Sequence, residues 1–522
     1  MTTEDEKLAS EEAANIFARE IGVTHIDSQI SEVGNKAFLK FVVGRPAPIY
    51  DHALRSTQKA LPENNPFRGL LNLTFREAER FPQSLEADAL QNILTRGTRH
   101  IAQAPRSAPT IITNVPFQNR EDQKAIQPAT HLIVGRRGVG KSTLISLAAE
   151  LLEKARKLYV VLDMQAYTEL CGDRLQAEVL HDFCRKLADQ AEKMAGGVTT
   201  ISQRAELRAL ASDIHSGSQD VRGAPPRINR ILTGLSMTLH SDIFLFLDDF
   251  HLVELSSQPE LLNMLHGCVK GARGWLKVAG LRTQLRAYDP RTRKGLQVPG
   301  DAQEISLDFT LIDPESAEKH LRAILQAFLS VVGVDRSTDV INEAALMRLV
   351  WANAGVPRDF LQMFGKALEH ARRASRWTVT LTDVNLAIGE FGQQKMDYLE
   401  QDARNEQNTL KNLVDYLETF CLDERHVNGF LIRNERTPEK RAVEVLSDLR
   451  LVHLIHQTIT PHKAGERYEA YLVDYSLFTG FRRRPNIREL LPEDGRQFKA
   501  KELRKLPELP AGFLKAHEAS EH

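Results

Sequence analysis

The sequence predicts an α/β fold in which a parallel sheet is covered by helices on both faces. Three observations lead to this prediction. An apolar run at residues 131–134 is followed by a glycine-rich loop and then by a helical pattern. A second apolar run, at residues 243–247, ends in two adjacent aspartates. Apolar runs and helical patterns alternate as far as residue 309, which is typical of parallel strands that are buried on both faces.

The individual elements follow from the same patterns. The expected strands are residues 131–134, 158–164, 243–247, 275–281 and 304–309. A helical insert is expected between the second and third strands, with helices at residues 175–194 and 228–239 and a mobile polar loop at residues 216–226. Before the sheet, apolar residues at helical spacing predict a helix over residues 75–101.

Helical patterns and strand patterns also divide the rest of the chain. Four short helices are expected at residues 314–332, 341–352, 357–373 and 381–391. A further helix begins at Thr437, which can cap it, with Pro438 in its first turn, and two strand-like runs follow. The predicted domains are an N-terminal accessory region (1–125), a nucleotide-binding core (126–310), a helical lid (311–400), a winged helix (401–485) and a C-terminal tail (486–522).

The glycine-rich loop has the spacing G-x-x-x-x-G-K-S, which is typical of a loop that binds nucleotide phosphates. A chance glycine-rich turn is the alternative, but the strand before it and the helix after it favour a nucleotide site. Lys141 is expected to reach the β- and γ-phosphates, and the Ser142 hydroxyl to bind Mg²⁺. The predicted nucleotide-binding residues are Gly135, Arg136, Arg137, Gly138, Val139, Gly140, Lys141, Ser142 and Thr143.

The two aspartates after residues 243–247 supply the acidic partner that a phosphate loop needs. Asp248 is predicted to hold Mg²⁺ through a water molecule, and Asp249 to orient or deprotonate the attacking water. The alternative is that both carboxylates cap the loop that follows. The side chain of Asp249 is one methylene shorter than a glutamate at this position would be. Its shorter reach toward the attacking water predicts slow hydrolysis.

Two arginines complete the predicted catalytic set with Lys141 and Asp249. Arg282 follows the run at residues 275–281 and is expected near the γ-phosphate, although an exposed arginine opening a loop gives the same pattern. Arg358 follows Gly355-Val356-Pro357, where the proline starts a helix, and it is expected to point across the cleft at the phosphates. An ordinary surface arginine is again the alternative.

Composition excludes some classes of protein. The 522 residues include 68 Lys plus Arg and 69 Asp plus Glu, so the net charge of −1 gives no global attraction to nucleic acid or to an anionic membrane. The N-terminus lacks an apolar signal core and no apolar run is long enough to span a membrane, so we expect a soluble cytoplasmic protein. No cysteine pair has zinc-ligand spacing; the cysteines are Cys171, Cys184, Cys268 and Cys421.

Together these motifs resemble the AAA+ and STAND branches of the P-loop ATPases, and most closely the origin-recognition-complex-like group. The resemblance covers about residues 130–480. It implies a P-loop parallel-sheet core with a helical lid and a C-terminal winged helix, ATP and Mg²⁺ as ligands, and hydrolysis to ADP and phosphate. Arg282 would be sensor 1 and Arg358 sensor 2. The candidates for an arginine finger are residues near the face where one would be expected. They are Arg273, Arg286, Arg291 and Arg293.

Three functions compete. The first is an ATP-dependent switch that regulates a partner protein or its own assembly, in a setting such as bacterial defence or a mobile element. The second is a DNA-binding initiator or loader that acts through the winged helix. The third is a P-loop scaffold without turnover. The basic residues that support DNA binding are Lys440, Arg441, Arg450, His462, Lys463, Arg467, Arg482, Arg483 and Arg484; the acidic residues that interrupt them are Glu439, Glu444, Asp448 and Glu466.

Overall fold

The computed structural model forms two compact units: Met1–Val115 together with Phe309–His522, and Pro116–Asp308. The residues that the structure describes are 3–33, 36–76, 80–100, 117, 120–195, 200–402, 407–435, 437–460, 466–480, 484, 486–491 and 498–513.

The N-terminal part of the first unit is a small mixed sheet with helices. Its elements are α1 (Thr3–Ile21), β1 (Ser28–Val33), β2 (Lys36–Val43), α2 (Pro48–Ala60), β3 (Leu71–Phe75) and α3 (Leu85–His100). The central strand β2 pairs antiparallel with β1 and parallel with β3. The prediction of one helix over residues 75–101 was wrong at its start, because Phe75 ends β3. Pro82 lies in a separate 3₁₀ turn, and the Ser84 side chain accepts a hydrogen bond from the Ala87 N–H (3.2 Å) at the start of α3.

The second unit carries the predicted parallel sheet. Its elements are α4 (Glu121–Ala125), β4 (His131–Val134), α5 (Lys141–Lys154), β5 (Leu158–Asp163), α6 (Gly172–Ala195), α7 (Ile201–His215), α8 (Ala224–Leu239), β6 (Ile243–Asp248), α9 (Gln258–Val269), β7 (Gly274–Gly280), β8 (Tyr288–Asp289), β9 (Lys294–Gly295) and β10 (Gln303–Ser306). The sheet has the order β10-β4-β7-β6-β5, and every pairing in it is parallel. The predicted α/β fold class is therefore confirmed.

The side chains of the sheet are buried as the apolar runs predicted. All residues of β6 from Ile243 to Leu247 are at most 2% exposed. Ile243, Leu245 and Leu247 share one apolar core with side chains of α6, α8 and α9. The polar loop expected over residues 216–226 is shorter, because α8 already begins at Ala224. Pro225 and Pro226 lie in the first turn of α8, where a missing N–H costs no helical hydrogen bond.

The C-terminal part of the first unit contains the helices of the predicted lid and a small antiparallel sheet. Its elements are α10 (Pro314–Val331), α11 (Glu343–Asn353), α12 (Pro357–Arg373), α13 (Leu381–Asp402), α14 (Gln407–Leu417), β11 (Gly429–Arg433), α15 (Pro438–Asp448), β12 (Val452–Ile459), β13 (Tyr468–Val473) and α16 (Ala500–Leu503). As predicted, Thr437 caps α15, since its hydroxyl accepts a hydrogen bond from the Lys440 N–H (3.2 Å). The strand β11 was not predicted; it pairs with β13, in the order β11-β13-β12.

A buried ionic cluster joins α13 to this sheet, and α13 runs well past its predicted end at residue 391. Lys395 Nζ donates hydrogen bonds to Asp474 Oδ2 (2.7 Å) and to the Arg450 carbonyl (3.0 Å). His453 Nε2 lies 2.6 Å from the same carboxylate oxygen. Arg450 itself forms an ion pair with Asp359 in the first turn of α12. Within this unit, lid helices and sheet are therefore tied together by buried charges.

Candidate nucleotide-binding site

The phosphate loop lies between β4 and α5, as the sequence predicted. Gly138 and Gly140 have φ angles of +83° and +101°, in the region that side chains other than glycine rarely adopt. At Gly135, a β-carbon would lie 2.8 Å from Val139 Cγ2, so a larger residue would displace the loop. The backbone path of this loop therefore favours glycine at positions 138 and 140, and the packing of Val139 favours it at position 135.

The lysine of the motif lies inside the loop. Lys141 is 7% exposed, and its Nζ donates hydrogen bonds to the carbonyl oxygens of Gly135 (2.8 Å) and Arg136 (3.1 Å). Its positive charge is thus held against the backbone that would surround a phosphate group. The first turn of α5, with Ser142 and Thr143, follows directly, so the N-terminus of this helix lies beside the loop.

The fold brings the loop to the acidic end of β6. The Ser142 hydroxyl lies beside the Asp248 carboxylate, and the Asp249 N–H donates to Asp248 Oδ1 (2.9 Å). Burial, and after it the nearby charge of Asp249, raises the pKa of Asp248 to about 6. A hydroxyl and a carboxylate are the hard oxygen ligands that Mg²⁺ prefers, which fits the predicted metal site. Among the described residues, no cluster of three or more His, Cys, Asp or Glu side chains could hold a metal without other ligands.

Asp249 is more accessible than its neighbour. Its side chain is 38% exposed, and its backbone has a φ of +49°, a conformation that aspartate tolerates better than most residues. The left-handed turn sends the chain sharply into a 3₁₀ segment, Phe250–Leu252. The accessible carboxylate is compatible with contact to a water molecule.

Sequence reasoning did not identify three polar residues at this edge. Asp308, after β10, accepts hydrogen bonds from the Arg136 N–H (2.9 Å) and Nε–H (3.4 Å), which holds the start of the loop. Asp163 ends β5, is paired in register with Asp248 and contributes to the raised pKa of that carboxyl group. His251 lies beside the loop. For Asp308 and Asp163, the sequence did carry a signal, namely a polar residue at the end of a parallel strand.

The environment of His251 is set by burial and by two cations. Its side chain is 6% exposed and lies 3.9 Å, Nδ1 to Oδ1, from Asp249. Burial, and after it the charges of Lys141 and Arg137, lowers the pKa of His251 to about 3. The imidazole is therefore neutral at physiological pH.

Arg282 directly follows β7, at the carboxyl end of the sheet. Its guanidinium forms a two-armed ion pair with Glu304 of β10, with Nη1 to Oε2 at 2.9 Å and Nη2 to Oε1 at 2.8 Å. It also donates to the Ser306 hydroxyl (3.4 Å). In this structure Arg282 therefore contacts a carboxylate, and its role as a phosphate sensor stays a prediction.

The other arginines of interest occupy different places. Arg358 is exposed in the first turn of α12, in the other unit, and its sensor role also stays a prediction. Arg273 precedes β7 and pairs with Asp242, which precedes β6 (Nε to Oδ1, 3.1 Å). Both residues lie at the amino end of the sheet, opposite the phosphate loop, and the role of Arg273 as an arginine-finger candidate stays a prediction.

The remaining arginine-finger candidates lie around the β8–β9 hairpin. Arg286 forms an ion pair with Asp289 (Nη2 to Oδ1, 2.8 Å). Arg291 and Arg293 are exposed in the connection between the two strands. Arg273 and Arg286 are exposed as well, so burial does not separate the four candidates.

Comparison with known proteins gave matches among solved structures. No protein-family model matches the chain, and no curated protein matches it. The chain is similar to Drosophila ORC bound to DNA, with 13% identity over 76% of this chain and 91% of that chain, at a TM-score of 0.37. It is also similar to Cdc6p from Pyrobaculum aerophilum (13% identity, 70% of this chain, 93% of that chain, TM-score 0.34). A third match is RuvB, the Holliday junction branch migration motor from Thermotoga maritima (16% identity, 66% and 98%, TM-score 0.32).

None of the helices in the described part of the chain combines the length and the hydropathy needed to cross a bilayer.

Proposed function

We propose that this protein binds ATP between the phosphate loop and the acidic end of β6 and hydrolyses it slowly to ADP and phosphate. The observation that carries the proposal is that the Ser142 hydroxyl lies beside the Asp248 carboxylate. These residues lie far apart in the sequence, and only the packing of α5 against the sheet brings them together. A loop that bound no nucleotide would have no need of this acidic partner.

Each side chain has a definite part in the proposed reaction. Lys141 stabilises negative charge on the β- and γ-phosphates, together with the loop N–H groups. Mg²⁺, held by Ser142 and by Asp248 through a water molecule, would neutralise charge on the same phosphates when bound. Asp249 orients the attacking water and accepts its proton. The water oxygen bonds to the γ-phosphorus while the bond to the β–γ bridging oxygen breaks, and ADP leaves with that electron pair.

We further propose that the nucleotide state regulates a protein partner or self-assembly, and the charges of the winged helix support this over DNA binding. Three of the basic residues predicted to contact phosphates are already engaged. Lys440 is 5% exposed and paired with Glu469 (2.7 Å), and Arg450 is paired with Asp359. Arg484 is paired with two acidic residues, Glu418 (2.6 Å) and Asp423 (2.7 Å).

The surface of α15 is also unsuited to a phosphate backbone. Glu439, Glu444 and Asp448 all reach its surface, whereas its exposed basic residue in the described structure is Arg441. Arg467 is exposed nearby, beside the start of β13. Other predicted DNA contacts lie outside the described residues; they are His462, Lys463, Arg482 and Arg483. Positive charge on a winged helix supplies most of its DNA affinity, so this balance favours a protein partner.

Nucleotide binding is tested first, by titrating the full-length protein with ATPγS and ADP in a calorimeter. Lys141→Ala should reduce the affinity for both nucleotides at least tenfold, because the phosphates lose their charge partner. Unchanged affinity would show that the loop is not the site.

The choice between a protein switch and a DNA loader needs a second experiment. Fluorescence anisotropy with labelled duplex DNA, at two salt concentrations and with ATPγS or ADP, should show no specific binding. Hydrogen exchange over residues 311–480 should differ between ATPγS and ADP, and Arg358→Ala should reduce that difference. Tight, salt-sensitive DNA binding only with ATPγS would favour the loader instead. The setting in bacterial defence or a mobile element stays a prediction.

A further inference from the structure

His251 is a buried side chain held in a fixed place at the phosphate edge of the sheet. The left-handed backbone of Asp249 turns the chain back, and Phe250, which is fully buried, anchors the 3₁₀ segment. The end of β7 packs against this segment, since a β-carbon on Gly280 would lie 3.5 Å from His251 N and 3.6 Å from His251 Cβ. The imidazole therefore has little freedom to move away.

Its Nδ1 atom is buried and has no hydrogen-bond partner. The nearest carboxylate oxygen, Oδ1 of Asp249, lies 3.9 Å away, which is too far for a hydrogen bond. A buried nitrogen that is left unpaired costs free energy, and such a group in a native site calls for a partner. The cations Lys141 and Arg137 lie near enough to act on the charge of His251, so a group that completes Nδ1 lies where these cations attract an anion.

We propose that His251 donates a hydrogen bond from Nδ1 to the terminal phosphoryl group of bound ATP, and so makes the site prefer ATP over ADP. The inference rests on the proposed nucleotide site. The γ-phosphate is the part of the ligand next to both Lys141 and Asp249, because the lysine reaches the β- and γ-phosphates and the aspartate holds the water that attacks the γ-phosphorus. ADP lacks this phosphoryl group, so the hydrogen bond from His251 does not form with ADP.

The test compares the affinities of full-length variants for ATPγS and ADP, measured calorimetrically with Mg²⁺. His251→Ala should weaken ATPγS binding about tenfold, the value of one hydrogen bond to a charged group, while ADP binding changes less than about twofold. His251→Asn keeps an N–H donor near the Nδ1 position and should restore most of the ATPγS affinity. This rescue would not be expected if the ring only filled space.

A matched control is His266→Asn. His266 is also a largely buried histidine of the same unit, but it lies at the amino end of the sheet, 3.7 Å from Asp301, so its replacement should change neither affinity. Equal losses of ATPγS and ADP binding in His251→Ala would overturn the proposal and indicate a structural role. If Lys141→Ala leaves both affinities unchanged, the nucleotide site itself is wrong. If Lys141→Ala abolishes binding but His251→Ala keeps the ratio of the wild type, the inference about His251 alone fails.

Discussion

The hydroxyl of Ser142, in the first turn of α5, lies beside the carboxylate of Asp248 at the end of β6. Strand β7 lies between β4, which leads into the phosphate loop, and β6. The contact therefore depends on helix α5 crossing the sheet toward β6 rather than on neighbouring strands. It places a hydroxyl and a carboxylate oxygen together beside Lys141, the arrangement that a magnesium-bound triphosphate requires.

Replacing Ser142 should separate metal-dependent from metal-independent binding. Ser142→Ala removes one metal ligand, so ATP affinity with Mg²⁺ should fall about tenfold, while affinity in EDTA should change little. Isothermal titration calorimetry under both conditions measures this. Ser146→Ala is the control, since the Ser146 hydroxyl lies one turn further along α5 and donates to the Ser142 carbonyl (2.9 Å). An equal loss in both buffers would argue against a metal-ligand role.

Asp249→Asn should separate binding from turnover. The amide cannot accept the proton of the attacking water, so the steady-state ATPase rate should fall about a hundredfold or more. Because Asp249 is not predicted to hold the phosphates, the affinity for ATPγS should stay within about threefold. Asp163→Asn, at the end of the neighbouring strand, should leave the rate nearly unchanged. A variant at position 249 that hydrolyses ATP at the rate of the wild type would remove Asp249 from the mechanism.

The ion pair between Arg282 and Glu304 makes the sensor prediction testable in both directions. If ATP must draw Arg282 away from Glu304, Glu304→Gln should raise ATPγS affinity a few-fold, the scale of a half-exposed ion pair. Arg282→Ala should lower the affinity. Competition binding with a fluorescent nucleotide measures both. If both variants bind ATPγS as the wild type does, Arg282 does not contact the phosphate.

A buried lysine in β7 gives the stability of the second unit a pH dependence. Lys277 Nζ lies 2.7 Å from the carbonyl oxygens of Gln127 and Ala129 and 2.7 Å from His131 Nδ1. Burial lowers the pKa of Lys277 from 10.5 to about 7. A neutral amine fits this site, because its two N–H groups donate to the carbonyls and its lone pair accepts from the His131 ring.

The sign of the effect follows from proton binding. Between about pH 7 and pH 10.5 the unfolded chain holds a proton on Lys277 that the folded protein does not, so raising the pH stabilises the fold. The free energy of unfolding of the wild type, relative to Lys277→Met, should therefore rise between pH 7 and pH 9 by up to about 1.4 kcal/mol per pH unit. Urea denaturation of both proteins at several pH values measures this difference. A difference that stays constant with pH would contradict it.

Much of the second unit could be predicted because its signals are local. Residues 131–134 and 243–247 are continuous apolar runs, and each forms a buried strand at the expected place. The glycines of the loop are needed for its own backbone angles, which depend on adjacent residues alone. In contrast, β11 pairs with β13, far along the chain, and its five residues carry no pattern that identifies the partner.

The candidate site divides in the same way. The sequence alone determined the strand that leads into the phosphate loop, the loop itself and the two aspartates. These features depend on residue type and on spacing within a few positions. Only the tertiary structure decided that Ser142 meets Asp248, that Arg282 pairs with Glu304, that Lys440 and Arg450 are engaged by acidic partners, and that His251 lies beside the loop. Charges and hydrogen bonds act through space, and the distances between residues remote in sequence are set by how helices and strands pack.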